Sequence, residues 1–156
     1  MTKEEITIVP YINEYKEHIK ALNYEWLEKY FFIEAGDVEQ LSDPQSYIID
    51  KGGHIYFAKY KDKIVGTSSL MKTDSYKYEL AKMAVTEKFK GLGIGQMLLE
   101  HCLAEAVKLN ATKLTLFSNT KLHSAIYLYK KYGFTEVALP TEIHYERADI
   151  MMEKFM

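Results

Sequence analysis

The segment from Lys82 to Gln96, KMAVTEKFKGLGIGQ, combines residue types that can bind a phosphate group. Its pattern predicts a strand, then a short basic loop, then the start of a helix. The first amide groups of a helix have no partner within the helix, and the helix dipole favours negative charge beside them. Gly91, Gly93 and Gly95 remove the side chains that would keep a phosphate away from those amides. We therefore expect this loop to bind a phosphorylated cofactor.

Two common nucleotide motifs fit this loop poorly. A P-loop carries Gly-Lys-Ser/Thr at the start of its helix, whereas Gly95 is followed by Gln96 and Met97. A dinucleotide-binding fold has a G-x-G-x-x-G turn near the amino terminus, whereas this loop follows several predicted strands and has the spacing G-x-G-x-G. A glycine-rich loop that merely turns tightly is the alternative at this point.

The elements around the loop predict an α+β fold, a mixed sheet with helices on both faces. Phe31–Gln40 is an acidic segment interrupted by Gly36. The connections between the second, third and fourth strands are too short for crossovers, so these strands should form an antiparallel meander. The predicted strands are Ile6–Val9, His54–Tyr60, Ile64–Met71, Tyr76–Val85, Lys113–Ser118, Thr135–Val137 and Arg147–Phe155. The predicted helices are Asn13–Tyr30, a short one from Asp43-Pro44 to Gly52-Gly53, Ile94–Leu109 and Leu122–Tyr132.

Composition excludes several classes of protein. A chain of 156 residues with 47% hydrophobic residues predicts one globular domain over residues 1–156. The net charge of −2 argues against a nucleic-acid partner, and the apolar runs are too short for a membrane span. The single cysteine, Cys102, and the acidic start Met1-Thr2-Lys3-Glu4-Glu5, which is unlike a signal peptide, predict a cytoplasmic protein. The five histidines are dispersed, so we predict no metal.

Two motifs in the second half of the chain resemble those of the GCN5-related N-acetyltransferase (GNAT) superfamily. KGLGIG, Lys90 to Gly95, resembles its Q/R-x-x-G-x-G/A signature, and AIYLYKKYGF, Ala125 to Phe134, resembles its A-x-x-L-Y-x-x-x-G-F helix. The order and spacing of the motifs agree with that family, as does the predicted strand order along nearly the whole chain. Lys90 stands where Arg or Gln is usual, and it offers a point charge instead of a planar fork.

The resemblance implies a GNAT fold, with a mostly antiparallel mixed sheet flanked by helices, and acetyl-CoA as the donor. Backbone groups of Met83, Ala84 and Val85 would line the acetyl and pantetheine end. Asn119, at the end of the following strand, would contact the pantetheine arm. The residues implied to surround the pyrophosphate are Lys90, Gly91, Gly93, Ile94, Gly95 and Gln96.

Tyr129 is the tyrosine of the second motif, and the resemblance implies that it protonates the leaving thiolate. A phenol, with a pKa of about 10, is a reasonable proton donor to a thiolate. The alternative is that Tyr129, like Tyr127 and Tyr132, is one aromatic residue of an amphipathic helix.

Glu79 is the candidate general base. It lies in the predicted strand before the glycine loop, and the two-residue period predicts that it shares a face with Ala81, Met83 and Val85. Some members of the superfamily carry a general-base glutamate in a context that this segment resembles. The alternative is an exposed strand carboxylate, paired with Lys77 or Lys82.

The resemblance implies an acceptor site built from about Trp26–Asp43 and Leu139–Tyr145. The first segment carries several acids and aromatic residues, which would suit a cationic amine, although a solvated acidic loop explains them equally well. The ERADI run, Glu146 to Ile150, resembles a bacterial subgroup without a settled acceptor.

The function expected from the resemblance is acetyl transfer from acetyl-CoA to a primary amine of a small molecule or peptide, by direct transfer in a ternary complex. A non-catalytic acyl-CoA-binding regulatory module is the alternative. Acetylation of tRNA or a ribosomal protein is disfavoured by the acidic charge balance. A homodimer is a common tendency of the family.

Overall fold

The computed structural model of the protein describes residues 3–143 and 145–156, so Met1, Thr2 and His144 lie outside the described residues. A seven-stranded sheet in the order β1-β2-β3-β4-β5-β7-β6 forms its centre. The strands are β1 Ile6–Pro10, β2 His54–Tyr60, β3 Lys63–Asp74, β4 Lys77–Val85, β5 Lys113–Ser118, β6 Thr135–Val137 and β7 Ile150–Phe155. The helices are α1 Lys16–Tyr30, α2 Ala35–Ser42, α3 Ile94–Lys108 and α4 His123–Lys131.

The predicted mixed sheet is confirmed. Strands β1 to β4 form an antiparallel meander, β4 and β5 are parallel, and β5 and β6 both pair antiparallel with β7. On one face, Ile19 of α1 and Leu41 of α2 pack with Phe57 in a buried cluster. On the other face, residues of α3, including Leu99 and Cys102, pack on a second cluster that α4 borders. Helices therefore cover both faces, as expected for an α+β fold.

Helix α2 lies where the sequence predicted only an acidic segment interrupted by Gly36. The backbone N–H of Glu34 donates to the Asp37 carboxylate (2.9 Å), which fixes the first turn of the helix. A Cβ at Gly36 would lie 3.2 Å from a ring carbon of Tyr145. Gly36 therefore allows Tyr145 to pack against the first turn of α2, and it does not end a helix.

Two further element boundaries differ from the sequence prediction. The last strand begins at Ile150 and not at Arg147, because the chain turns before it, with the Ala148 N–H donating to the Tyr145 carbonyl (3.3 Å). The Arg147 guanidinium binds carboxylates near α2. The short helix after Pro44 is a π-helical turn, Gln45–Ile49, whose start is held by a bond from Ser46 N–H to Asp43 (3.2 Å).

A β-bulge at Lys82 divides β4 into two parts. The register with β3 shifts between the pairs Ser69–Ala81 and Thr67–Ala84, and Lys82 itself has a φ of 58°. A bulge changes the alternation of side chains along a strand. The prediction that Glu79 shares a face with Met83 and Val85 is therefore wrong.

The two parts of β4 contact different faces of the sheet. Glu79 pairs with Met71, which packs on the cluster under α1 and α2. Met83 and Val85 pack on the opposite cluster, with Ile94 and Leu98 of α3. The bulge thus separates the candidate base from the residues at the carboxyl end of the strand.

Candidate active site

The parallel pair β4–β5 separates after only a few residues. Register pairs are Lys77–Lys113, Tyr78–Leu114 and Glu79–Thr115, whereas β5 continues to pair with β7 as far as Ser118. A cavity of about 660 Å³ lies where the two strands diverge. Its walls include residues 79–85 of β4, residues 117–119 at the end of β5, and parts of α1 and α4. This volume is that of a site for a small molecule or cofactor.

The glycine loop forms one end of this cavity. After a 3-10 turn at Glu87–Phe89, Gly91 and Gly93 have φ values of 84° and 78°, and α3 begins at Ile94. Glycine adopts these left-handed conformations without steric cost. A Cβ at Gly91 or at Gly95 would meet no other atom within 4 Å, so space is left beside the start of α3. The helix start thereby offers unpaired amides to an anion.

A cluster of charged side chains lies beside the loop. Lys90 Nζ and Lys29 Nζ both contact one carboxylate oxygen of Glu87, at 3.0 and 3.1 Å. These hydrogen bonds, from Lys90 first and Lys29 second, lower the pKa of Glu87. Two ammonium groups against one carboxylate leave positive charge at this end of the cavity.

Tyr129 lies in the wall of the same cavity, on α4. Its ring packs edge-to-face with Phe134 (6.0 Å between centroids), and its carbonyl accepts a bond from the Phe134 N–H (3.0 Å). The motif residues around Gly133 therefore hold Tyr129 in place. Burial raises the pKa of Tyr129 to about 12, so the hydroxyl is protonated at neutral pH.

The structure brings nearly all the predicted site residues to this one cavity. Those that line it are Glu79, Met83, Ala84, Val85, Lys90, Gly91, Gly93, Ile94, Gly95, Asn119 and Tyr129. Gln96 is not among the lining residues, since its side-chain amide donates to the Tyr132 hydroxyl (2.8 Å) and joins α3 to the end of α4. The Asn119 side-chain amide donates to the Arg147 carbonyl (2.7 Å).

A buried ionic network that sequence reasoning missed borders the cavity on the α2 side. Arg147 forms two bonds of 2.8 Å to the two Asp37 oxygens and one of 2.9 Å to Glu34. Lys82 Nζ lies 3.5 Å from Asp37 and donates to the Tyr145 hydroxyl (2.8 Å). The side chains of Lys82 and Asp37 are only 6% and 1% exposed.

Tyr145 links this network to α2 and is itself enclosed. Its hydroxyl donates to the Gln40 side-chain oxygen (2.6 Å), and the Arg147 guanidinium carbon lies 4.3 Å from its ring centroid. Burial, and next the charge of Asp37, raise the pKa of Tyr145. Two segments of the predicted acceptor site, near α2 and before β7, are therefore joined at this residue.

The buried surroundings and the neighbouring charges shift the pKa values of Lys82 and Asp37. Burial lowers the pKa of Lys82 to about 8, although the Asp37 carboxylate opposes this shift. Burial would raise the pKa of Asp37, but hydrogen bonds from Arg147 and from the Glu34 backbone lower it overall. Asp37 is thus ionised at neutral pH, while Lys82 titrates close to physiological pH.

The network changes the interpretation of the acidic segment. Glu34 and Asp37 were candidates for attracting a cationic amine, but their carboxylates are bound to Arg147 and, for Asp37, also to Lys82. No local spacing in the sequence indicates these contacts, because they join residues near positions 35, 82 and 147.

Asn23 of α1 also supports the bulge. Its buried side-chain amide donates to the Lys82 carbonyl (3.2 Å) and to the Ile19 carbonyl (2.9 Å). The Trp26 indole N–H donates to the Asn23 side-chain oxygen (3.3 Å). Trp26 and Phe31, which meet edge-to-face at 5.8 Å, then form an aromatic wall of the cavity.

Two classes of feature are absent from the part of the chain that the structure describes. Residues 3–143 and 145–156 contain no group of three or more His, Cys, Asp or Glu side chains placed to hold a metal ion. Within the same residues, no helix is long and apolar enough to cross a membrane.

Comparisons with known proteins agree with this geometry. A model of the acetyltransferase (GNAT) family matches residues 19–134. No match was found among curated proteins. An acetyltransferase of the GNAT family from Staphylococcus aureus is 25% identical, with a TM-score of 0.85 over 96% of this chain and 98% of that one.

Two similar solved structures contain a ligand. A GNAT family acetyltransferase from Elizabethkingia anophelis with acetyl-CoA bound is 26% identical, with a TM-score of 0.65 over 99% of this chain and 100% of that one. The PaiA N-acetyltransferase from Thermoplasma acidophilum, in complex with coenzyme A, is 18% identical, with a TM-score of 0.77 over 97% and 99% of the two chains. At 18% identity, the similarity to the Thermoplasma protein shows the fold alone.

Lys82 should give the stability of the protein a measurable pH dependence. Its pKa is about 8 when folded and 10.5 ordinarily, so between these values the unfolded chain binds more protons. The contribution of Lys82 to stability therefore rises with pH in this window. From pH 8 to 9.5, the free energy of unfolding of wild type should gain about 1–2 kcal/mol relative to Lys82→Met. Urea denaturation at both pH values measures this difference.

Comparing wild type with Lys82→Met removes a second effect of pH on stability, which has the opposite sign. Burial raises the pKa of the Cys102 thiol to about 12, which reduces stability as the pH rises, but equally in both proteins. Lys63→Met, at the exposed first residue of β3, is the control and should follow wild type. If the free energies of unfolding of Lys82→Met and wild type change in parallel from pH 8 to 9.5, the conclusion that the Lys82 ammonium is buried is wrong.

Proposed function

The chain belongs to the acetyltransferase (GNAT) family, and from that premise we propose that it transfers the acetyl group of acetyl-CoA to a primary amine in a ternary complex. The observation that carries the proposal is the cavity between the diverging strands β4 and β5, which the glycine loop, Glu79 and Tyr129 all line. The acceptor amine belongs to a small molecule or a peptide. The cytoplasm stays the predicted location, and a homodimer stays a prediction.

The proposed coenzyme A site runs along the cavity from the glycine loop toward Glu79. The amides at the start of α3 would bind the pyrophosphate, with Lys90 adding charge. Backbone groups of residues 83–85 would pair with the pantetheine arm, near Asn119. Acetyl-CoA bound to the Elizabethkingia relative supports this choice of donor. The residues proposed for the pyrophosphate are Lys90, Gly91, Gly93, Ile94, Gly95 and Gln96.

The proposed chemistry uses two side chains on opposite sides of the reacting thioester. Glu79 accepts a proton from the acceptor amine, whose nitrogen forms the new bond to the acetyl carbon. Tyr129 donates its proton to the sulfur as the carbon–sulfur bond breaks. A backbone N–H near Ala84 or Val85 would stabilise the oxyanion that forms between these events. The products are an N-acetylated amine and free coenzyme A.

Replacing Tyr129 by Phe tests the acid step. Release of free thiol from acetyl-CoA, measured against a panel of polyamines, amino acids and peptides, should fall by about 10²-fold. Calorimetric affinity for coenzyme A should change little, since the lost hydroxyl is not a pyrophosphate ligand. Tyr127→Phe, at a position on α4 that is 72% exposed, is the matched control.

Two results would contradict this proposal in different ways. Unchanged turnover in Tyr129→Phe would remove Tyr129 from the mechanism but leave the acetyltransferase intact. Wild-type protein that binds coenzyme A yet releases no thiol with any amine would favour the regulatory acyl-CoA-binding module instead.

Glu79→Gln tests the base step through the pH dependence of kcat/KM. The glutamine side chain cannot accept the amine proton, so the variant should lose the part of the pH profile in which wild type has high kcat/KM. The affinity for coenzyme A should stay close to that of wild type. Glu136→Gln, at an exposed carboxylate of β6, is the control. A profile of unchanged shape in Glu79→Gln would exclude Glu79 as the base.

A further inference from the structure

A second groove continues the active-site cavity on its α2 side. It has a volume of about 340 Å³, and Glu79 and Tyr145 line both it and the main cavity. Its other walls come from α2, from the π-helical turn and from the end of β3. The groove therefore begins at the proposed base, on the side away from the glycine loop.

Two lysines, Lys51 and Lys72, line this groove. Lys51 and Lys72 form no salt bridge with any residue in 3–143 or 145–156. Lys51 Nζ lies 5.3 Å from the Tyr47 ring centroid, and the stem of Lys72 packs over Gly52, where a Cβ would lie 2.8 Å from its Cδ. Both stems are thus placed by neighbours, while their ammonium groups keep the capacity to bind an anion.

The acidic side chains near the groove have other partners or another role. Glu39 and Glu79 also line the groove, so two ammonium groups stand beside two carboxylates, and one of these carboxylates is the proposed base. Glu34 and Asp37 are bound to Arg147 and, in the case of Asp37, also to Lys82. Lys51 and Lys72 are therefore available to the anionic group of an acceptor whose amine lies at Glu79.

The groove itself connects these lysines with the reaction centre. Met71 of β3 is paired directly with Glu79. Glu79, Lys51 and Lys72 all line the groove, whose volume is about 340 Å³, so one small molecule in it can lie between Glu79 and the two lysines. The volume of the groove also suits a small acceptor.

We propose that the acceptor is a small primary amine carrying a carboxylate or phosphate group, with the amine at Glu79 and the anionic group at Lys51 and Lys72. This inference rests on the proposed acetyltransferase function and names its substrate class. Lys51 and Lys72 are specificity residues in this account and take no part in proton transfer.

The test compares matched acceptors in the thiol-release assay. The series comprises ω-amino carboxylates from glycine to 6-aminohexanoate, O-phosphoethanolamine, and n-alkylamines of the same lengths. Wild type should show higher kcat/KM for the anionic amines. Lys51→Gln/Lys72→Gln should raise KM for anionic amines about ten-fold with little change in kcat, and leave KM for alkylamines within about two-fold. The carboxylate and phosphate arms show which anion the groove binds better.

Controls separate charge from structure. Lys51→Arg/Lys72→Arg should retain the preference for anionic amines, and Lys63→Gln should behave as wild type. Turnover with equal kcat/KM for charged and uncharged amines, or a Gln double variant with unchanged KM, would overturn this inference alone. Absence of turnover with every amine would overturn the proposed function and this inference with it.

Discussion

The separation of β4 from β5 is the constraint on which the rest of this structure depends. Two parallel strands in a sheet normally continue their hydrogen bonds, but here the pairing ends at Glu79 and Thr115. Residues 80–85 are therefore left without a partner strand on that edge, as far as the described residues show. Backbone groups away from water need hydrogen-bond partners, so this edge suits a ligand that carries amides of its own. The glycine loop lies at the end of the same edge, where such a ligand would need to bind phosphate.

The bulge at Lys82 and the ionic network explain how the opening is shaped. Asn23 bonds the bulge carbonyl, and the Lys82 ammonium contacts Asp37 and Tyr145. Arg147 holds Asp37 in turn, so α2, β4 and the segment before β7 are joined at one point. Buried ion pairs add little net stability because desolvation offsets their attraction, but removing one partner is costly. We infer that the network fixes the relative position of these three segments more than it stabilises the fold.

The sequence predicted most of the sheet and the donor end of the site because their signals are local. Alternating strands, the glycine loop and the helix around Tyr129 each depend on residues close together in the chain. The acceptor side depends on distant contacts: α2 was missed because Gly36 suggested an interruption, yet that glycine accommodates the Tyr145 ring. A two-residue period in the sequence does not reveal the bulge at Lys82. Met83 was therefore assigned to the wrong face of the sheet. Arg147 was assigned to a strand because nothing beside it indicates its bonds to Asp37.

Amide hydrogen exchange tests the central claim, that coenzyme A binds in the opening between β4 and β5. Adding coenzyme A should slow exchange in peptides that cover residues 80–85 and 91–96, where backbone amides gain partners. Peptides from the hairpin between β2 and β3 should exchange as before. If coenzyme A binds by calorimetry while exchange at residues 80–85 and 91–96 stays unchanged, the ligand occupies another site and the account is wrong.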